Sequence, residues 1–320
     1  MAFRAFRLDW KVKAACFRLL DHIPLGSELY YLLQSKVTKT VPRVRNMPRD
    51  GGGHEVSSAR YFSQYGHSLD TAAVFEFGAG WDLFSNLNLY CLGARAQTTI
   101  DIRRLARSDA INAAIEYLGK NPPKGAVRRT EGRVRQDRLE HDLQDLFGIT
   151  YLAPADARSL QFADNTFDLI TTTSVLEHVP AAIIPAILTE CFRVMKPGGI
   201  MVHMIDYSDH YAHSDGSINN YNYLQFTSNQ WKTYNPDIHY QNRMRSNFYL
   251  DVFKEAGFSV LFKREWSGDP SELAAVPLAR DFRGLKASEL LVLGMEIVLT
   301  KPGKTGALSA PDDMDIVRRT

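Results

Sequence analysis

The sequence predicts an α/β fold, a mostly parallel sheet with helices on both faces. Three observations carry this. Runs of strand length recur, apolar residues prominent in all but the second: Val74–Phe77, Gln97–Ile102, Ile149–Ala153, Phe167–Thr172 and Ile200–Ile205. Runs that are apolar nearly throughout suit strands covered on both faces, and the stretches between them have helical spacing, as βαβ units require. The first run closes in Gly78-Ala79-Gly80, where missing Cβ atoms let the chain turn sharply and a ligand approach the backbone.

The 320 residues allow one large domain with appendages or two small ones. Hydrophobic residues make up 45% and charged residues 23%, which fits a folded globular chain. A net charge of +2 gives no sign of a nucleic-acid partner. No apolar run reaches the roughly 18 residues of a spanning helix. Cys16, Cys91 and Cys191 are scattered, which fits a reducing, cytoplasmic setting and no disulfide frame.

Residues 1–45 differ from the rest. Phe3, Phe6, Trp10, Ala14 and Phe17 form a helical stripe, with Arg4, Arg7, Lys11 and Arg18 mostly off it. Nine basic residues stand against three acidic ones. Such a segment either lies on a membrane surface, here the inner face of the membrane through residues 1–20, or docks on the main domain with a solvated basic face. A second helix is expected over 26–34, a flexible loop over Met47–His54 with His54 and Glu55 within possible reach of a site, and a helix over Ala59–Leu69. After the glycine turn, Trp81–Leu92 has helical spacing. A dinucleotide fingerprint needs a third glycine, and none follows until Gly93. Asp101, about 20 residues beyond the turn, suits a ribose diol, with Ile102 beside it. Arg103 and Arg104 keep an NADP reading open. Ser108–Gly148 is helical in pattern, broken at Pro122-Pro123, with a basic strip from Lys120 to Arg138 that is either a solvated face or a contact for an anionic acceptor. Helices are expected over Ile183–Val194 and Tyr240–Phe253, and strands over Phe258–Arg264 and Leu290–Thr300.

Four motifs carry a resemblance. Glu76-x-Gly78-Ala79-Gly80 resembles motif I of the class I S-adenosylmethionine (SAM) dependent methyltransferases. Asp156-Ala157, after the third strand, matches that family's adenine-side acid and small residue. The run Leu160-x-Phe-x-Asp-x-x-Phe-Asp-Leu-Ile170, followed by Ser174-Val-Leu-Glu177-His178-Val179, looks like its motif IV, and Lys196-Pro-Gly-Gly199 like the turn into its fifth strand. The resemblance covers residues 74–205. It implies seven strands in the order 3-2-1-4-5-7-6, with strand seven antiparallel. It implies SAM as cofactor and S-adenosylhomocysteine as product, with Glu76 near the methionine end, Asp101 on the ribose and Asp156 and Ala157 at the adenine. Ser174 would also bind the cofactor, and Glu177 and His178 would lie near the sulfonium, His178 as lining or as a catalytic group. The chain then divides into an N-terminal extension (1–70), a SAM-binding core (71–205), an acceptor-binding insertion (206–257), C-terminal strands (258–303) and a tail (304–320).

The insertion is rich in Tyr, Asn, Asp and His: Asp206-Tyr-Ser-Asp-His210-Tyr-Ala-His213, then Tyr221, Tyr223, Trp231 and Tyr234. It follows strand five, at the end of the sheet where ligands of open α/β folds bind. Aromatic faces and polar groups together suit a sugar. His210 and His213 are general-base candidates with Asp206 as orienting partner, so the expected reaction is in-line O-methylation of a saccharide-type acceptor. This segment, with the basic N-terminus, is also similar to methyltransferases of bacterial surface-polysaccharide gene clusters. A non-sugar metabolite or lipid acceptor, and a non-catalytic SAM-binding scaffold, remain alternatives. A divalent metal at Asp206, Asp209, His210, His213 and Asp215 is possible but not favoured, for want of strict ligand spacing. Arg243 and Arg245 bind an acceptor anion or pair with acids. Oligomeric state is open.

Overall fold

The computed structural model describes residues 9–37, 40–46 and 54–303. Phe3, Arg4, Phe6, Arg7, the 47–53 part of the expected loop and the 304–320 tail lie outside the described residues. In chain order the elements are α1 (Trp10–Asp21), α2 (Gly26–Leu32), α3 (His54–Gln64), β1 (Ala73–Phe77), α4 (Phe84–Cys91), β2 (Ala96–Ile100), α5 (Ser108–Lys120), α6 (Leu139–Phe147), β3 (Ile149–Leu152), β4 (Phe167–Thr173), α7 (Ile184–Val194), β5 (Met195–Asp206), α8 (Ser228–Trp231), α9 (Ser246–Glu255), β6 (Ser259–Ser267), α10 (Pro270–Ala274), α11 (Ala287–Leu291) and β7 (Val292–Thr300).

The strands form one sheet in the order β3-β2-β1-β4-β5-β7-β6, the order the resemblance implies. β1 to β5 pair in parallel, and β7 runs antiparallel between β5 and β6. The period of two along each strand divides the core. Phe75, Phe77, Ile170 and Met201 face α7 and α9. Val74, Leu169, Ile200 and Val202 face the opposite way, with α3 and Leu89 of α4. Lys196–Gly199 is taken up as an irregularity in the β4–β5 pairing. Gly199 is needed there, since a Cβ would stand 2.9 Å from the Lys196 carbonyl.

A third cluster joins parts far apart in sequence. Trp10, Ala14 and Phe17 of α1 are buried with Tyr211, Tyr221, Tyr223 and Trp231 of the insertion, and with Leu273, Phe282 and Leu290 from the β6–β7 connection. Trp10 packs on Tyr234 with ring centroids 4.8 Å apart, and its amide donates to Asp215 at 2.9 Å. From Trp10 onward the aromatic stripe is therefore a docking face on the insertion. Among the described residues no helix is long and apolar enough to cross a membrane.

Three local expectations change. Tyr240–Arg245 is not helical, and α9 starts only at Ser246, because Asn242 is pinned through its amide to Glu177 O and its side chain to Leu176 O and Val179 O. Arg243 and Arg245 are buried and bind backbone carbonyls, those of Tyr223 and Phe226 for Arg243 and those of Tyr207, Leu290 and Val292 for Arg245. They hold the insertion together and have no face toward a ligand. His54 and Glu55 open α3 as buried groups, His54 on Glu296 at 3.0 Å and Glu55 on Ser85 at 2.8 Å.

Candidate active site

The C-terminal ends of β1, β2 and β4 open into a cavity of about 630 Å³, within the usual range for small-molecule sites. The glycine turn forms its floor. Gly78 has φ +83°, and a Cβ there would stand 2.5 Å from Val175; Gly80 has φ +68° and nothing within 4 Å of a Cβ position. The turn supplies space and no spare donors. The amides of Gly78 and Ala79 both donate to Ile100 O, at 2.8 and 3.2 Å, and that of Gly80 donates to Asp101 Oδ2 at 3.1 Å. These bonds tie the turn to β2 and to the residue that follows it.

Asp101 is buried at the rim, its Oδ1 accepting from the Arg103 amide at 3.1 Å. Burial raises its pKa, and the amides of Arg103 and Gly80 oppose that rise. Each oxygen keeps a lone pair for a ligand hydroxyl. Ile102 and Arg103 line the cavity beside it. Asp156 and Ala157 line the next wall. Asp156 is held by Arg158, whose Nε lies 3.0 and 2.9 Å from its two oxygens, and that bond depresses its pKa. Ser174, just past the end of β4, also lines the cavity and has φ +53°, a strained conformation for a residue with a side chain.

Glu76 and Glu177, expected at the cofactor, stand behind the wall. Glu76 shares the face of Val74 by the period of two, so its carboxyl is buried among Arg43, Glu55, Ser85 and Asn86. Burial pushes its pKa up to about 8, against the pull of Arg43 and with a further push from Glu55. Glu177 is 1% exposed; its Oε1 accepts from the Asp206 amide at 3.3 Å. Burial first, and then Asp206, hold its pKa well above the usual carboxylate range.

The histidines form a cluster at one end of the cavity. His178 is on the wall. Its Nδ1 lies 2.7 Å from Tyr240 O, which makes that nitrogen the donor and leaves Nε2 with the lone pair. Burial, and the charge of His210, push its pKa down to about 4. His210 packs on His178 with centroids 4.9 Å apart, and its Nε2 is 3.6 Å from Asp206 Oδ2. Burial works to raise the Asp206 pKa, but bonding and attraction to His210 and two bonds from Ser208 outweigh it and hold the pKa down to about 2. His213 stands outside the wall, half-exposed, with Nε2 2.8 Å from Ser208 Oγ. Of the acids named for a metal, Asp209 is taken by Asn222 and the Tyr211 amide, and Asp215 by Trp10 and Ser217. Glu177, His178 and His210 present ligand atoms within 4.8 Å of one another.

Sequence reasoning missed the roof. Ser27, Tyr30, Thr40 and Arg43 from the N-terminal segment and Asp237, Ile238, His239 and Tyr240 from the insertion close the cavity. Tyr30 Oη and His239 Nδ1 are 3.3 Å apart, and Asp21 holds the Asp237 and Ile238 amides at 2.6 and 2.8 Å. No local signal marks this roof, because its contacts join residues more than 200 positions apart. Conversely Tyr221, Tyr223 and Trp231, expected on the acceptor, are core residues at 0, 0 and 4% exposure.

Residues 104–203 match the family model described as a methyltransferase domain. The fold is that of the class I methyltransferases. Two curated relatives are similar over 98 residues each. The demethylmenaquinone methyltransferase of Anoxybacillus flavithermus is 31% identical over 31% of this chain and 37% of its own length. That of a Geobacillus species is 30% identical over 31% of this chain and 38% of its own length. The chain thus matches little more than a third of either relative. A SAM-dependent methyltransferase structure from Methanosarcina mazei aligns at 17% identity over 73% of this chain and 94% of its own, with a TM-score of 0.42.

Proposed function

We propose that the protein transfers a methyl group from SAM to an oxygen of a small hydroxylated acceptor. The observation that carries this reading is one continuous cavity that runs from the glycine turn, Asp101 and Asp156 to His178. A cofactor lying along the first three would direct its methyl-bearing end toward the histidines. The chain's own residues then have defined tasks. Asp101 accepts from the ribose hydroxyls, and Asp156 with Arg158 meets the adenine edge. His178 takes the acceptor proton at Nε2, and the negative charge of Asp206 favours the resulting imidazolium. In-line displacement needs alignment and proton removal above all, and a neutral His178 is in the protonation state to accept. The methyl carbon forms its bond to the acceptor oxygen as the sulfonium bond breaks, leaving S-adenosylhomocysteine.

The acceptor half of the cavity presents Ser27, Asp237, His239 and Tyr240, which supports a polyhydroxylated, sugar-type acceptor. A second reading is a quinol-like metabolite. The apolar wall of Val179, Pro180, Ile183 and Ile187 favours it, and the two curated relatives, similar over 98 residues each, are demethylmenaquinone methyltransferases. Transfer of label from methyl-labelled SAM to a panel of glycosides and of hydroquinones tests both. Labelled glycoside supports the first reading, labelled hydroquinone replaces it with the second, and label on neither class refutes both acceptors.

A further inference from the structure

The turn amides that would receive a carboxylate are already bonded within the protein, so an amino-acid tail at the end of β1 needs another partner. We propose that Arg43, from the N-terminal extension, is that partner: it binds the α-carboxylate of the cofactor's methionine tail and makes the extension part of the cofactor site. This rests on the SAM reading above.

Arg43 lines the cavity at the glycine-turn end, where it meets Asp82, two residues beyond Gly80. Its Nε and Nη2 donate to Asp82 Oδ1 at 3.1 and 2.9 Å, and its backbone amide donates to Oδ2 at 3.0 Å. Asp82 is 2% exposed and also takes the Phe84 amide at 3.2 Å. The guanidinium is thereby held as a fixed fork whose side chain is 40% exposed toward the cavity. A guanidinium has five donors in a plane, and no hydrogen bond among the described residues uses Nη1. A fork held at one edge and open at the other is the arrangement that receives a carboxylate in bidentate fashion. The surroundings carry both signs, Arg43 beside Asp82 and Glu55. An amino-acid tail fits with its carboxylate on the open edge of that fork.

The test is calorimetric titration of the full chain and of Arg43→Ala with two probes. One is S-adenosylhomocysteine, and the other is 5′-methylthioadenosine, which keeps the nucleoside and lacks the amino-acid tail. The expected result is a loss of about 10- to 100-fold in affinity for S-adenosylhomocysteine, the range of one charged hydrogen-bonded contact, with methylthioadenosine unchanged. Arg43→Lys, which keeps the charge but not the fork, covers a failure of Arg43→Ala to fold; it should lose several-fold on the first probe alone. Equal losses on both probes would assign Arg43 a purely structural role, and no loss on either would place it outside the cofactor site. Either result overturns the proposal. A wild-type chain that binds neither probe would overturn the SAM reading itself.

Discussion

Replacing Asp101 tests the cofactor site at its most constrained residue. Each carboxylate oxygen already accepts one backbone amide, from Gly80 and from Arg103, so each has one remaining lone pair for a ribose hydroxyl. A hydrogen bond to a charged group contributes about 1.5–3 kcal/mol. Asp101→Ala removes two such bonds, about 3–6 kcal/mol, and weakens S-adenosylhomocysteine binding by at least ~100-fold. Asp101→Asn turns one oxygen into a donor and should cost about one bond, roughly 10-fold or more. The pH dependence has a fixed sign. Binding requires the ionised carboxylate, and burial raises the free protein's Asp101 pKa. Affinity should therefore fall as pH is lowered, and begin to fall at a higher pH than a solvated aspartate would cause. The assay is isothermal titration at constant ionic strength, with thermal melts of the unliganded variants to show that they fold. A folded Asp101→Ala that binds within about twofold of wild type would refute the ribose assignment.

The other predictions concern proton transfer, burial and docking. His178→Ala and His210→Ala should lower kcat while leaving S-adenosylhomocysteine affinity nearly intact; wild-type turnover in both would remove the histidine cluster from the mechanism. Glu76 has a folded pKa of about 8 against 4.5 for a free glutamate. The native state therefore holds a proton that the unfolded chain releases, and stability is lost as pH rises through that window, by roughly 1.4 kcal/mol per pH unit at its steepest. Glu76→Gln should gain on wild type in melting temperature between about pH 5 and pH 8, and parallel pH curves would contradict the burial argument. Trp10→Ala should lower unfolding free energy by about 3–5 kcal/mol in denaturant melts, if α1 docks as described; a loss under about 1 kcal/mol would mean that α1 is loosely attached.

The sheet was readable because its strands announce themselves twice. Apolar runs such as Phe167–Thr172 match the two-sided burial of a parallel strand, and turns such as Gly78-Ala79-Gly80 sit where φ is positive. Asp101 and Asp156 line the cavity; the first was marked by its spacing from the glycine turn and the second by the family resemblance. Glu76 was harder, because the motif gives spacing while the face is set by which helices pack below. The aromatic insertion misled for a physical reason. Tyr and Trp serve equally well to stack on a sugar and to fill a core with a polar edge, and here Tyr211, Tyr221 and Tyr223 bond backbone carbonyls inside the fold. Tyr240–Arg245 has helical spacing, yet Asn242 and the two arginines find better partners in a non-helical chain. The roof of Tyr30, Arg43 and His239 left no local trace, since it exists only once the two ends of the chain meet.

The most direct test of the central claim is calorimetric titration of the purified chain with S-adenosylhomocysteine, with NADP as comparison. The account predicts micromolar binding of S-adenosylhomocysteine and none of NADP. Binding of NADP, or of neither, would contradict the assignment of the β1–β2–β4 cavity to SAM.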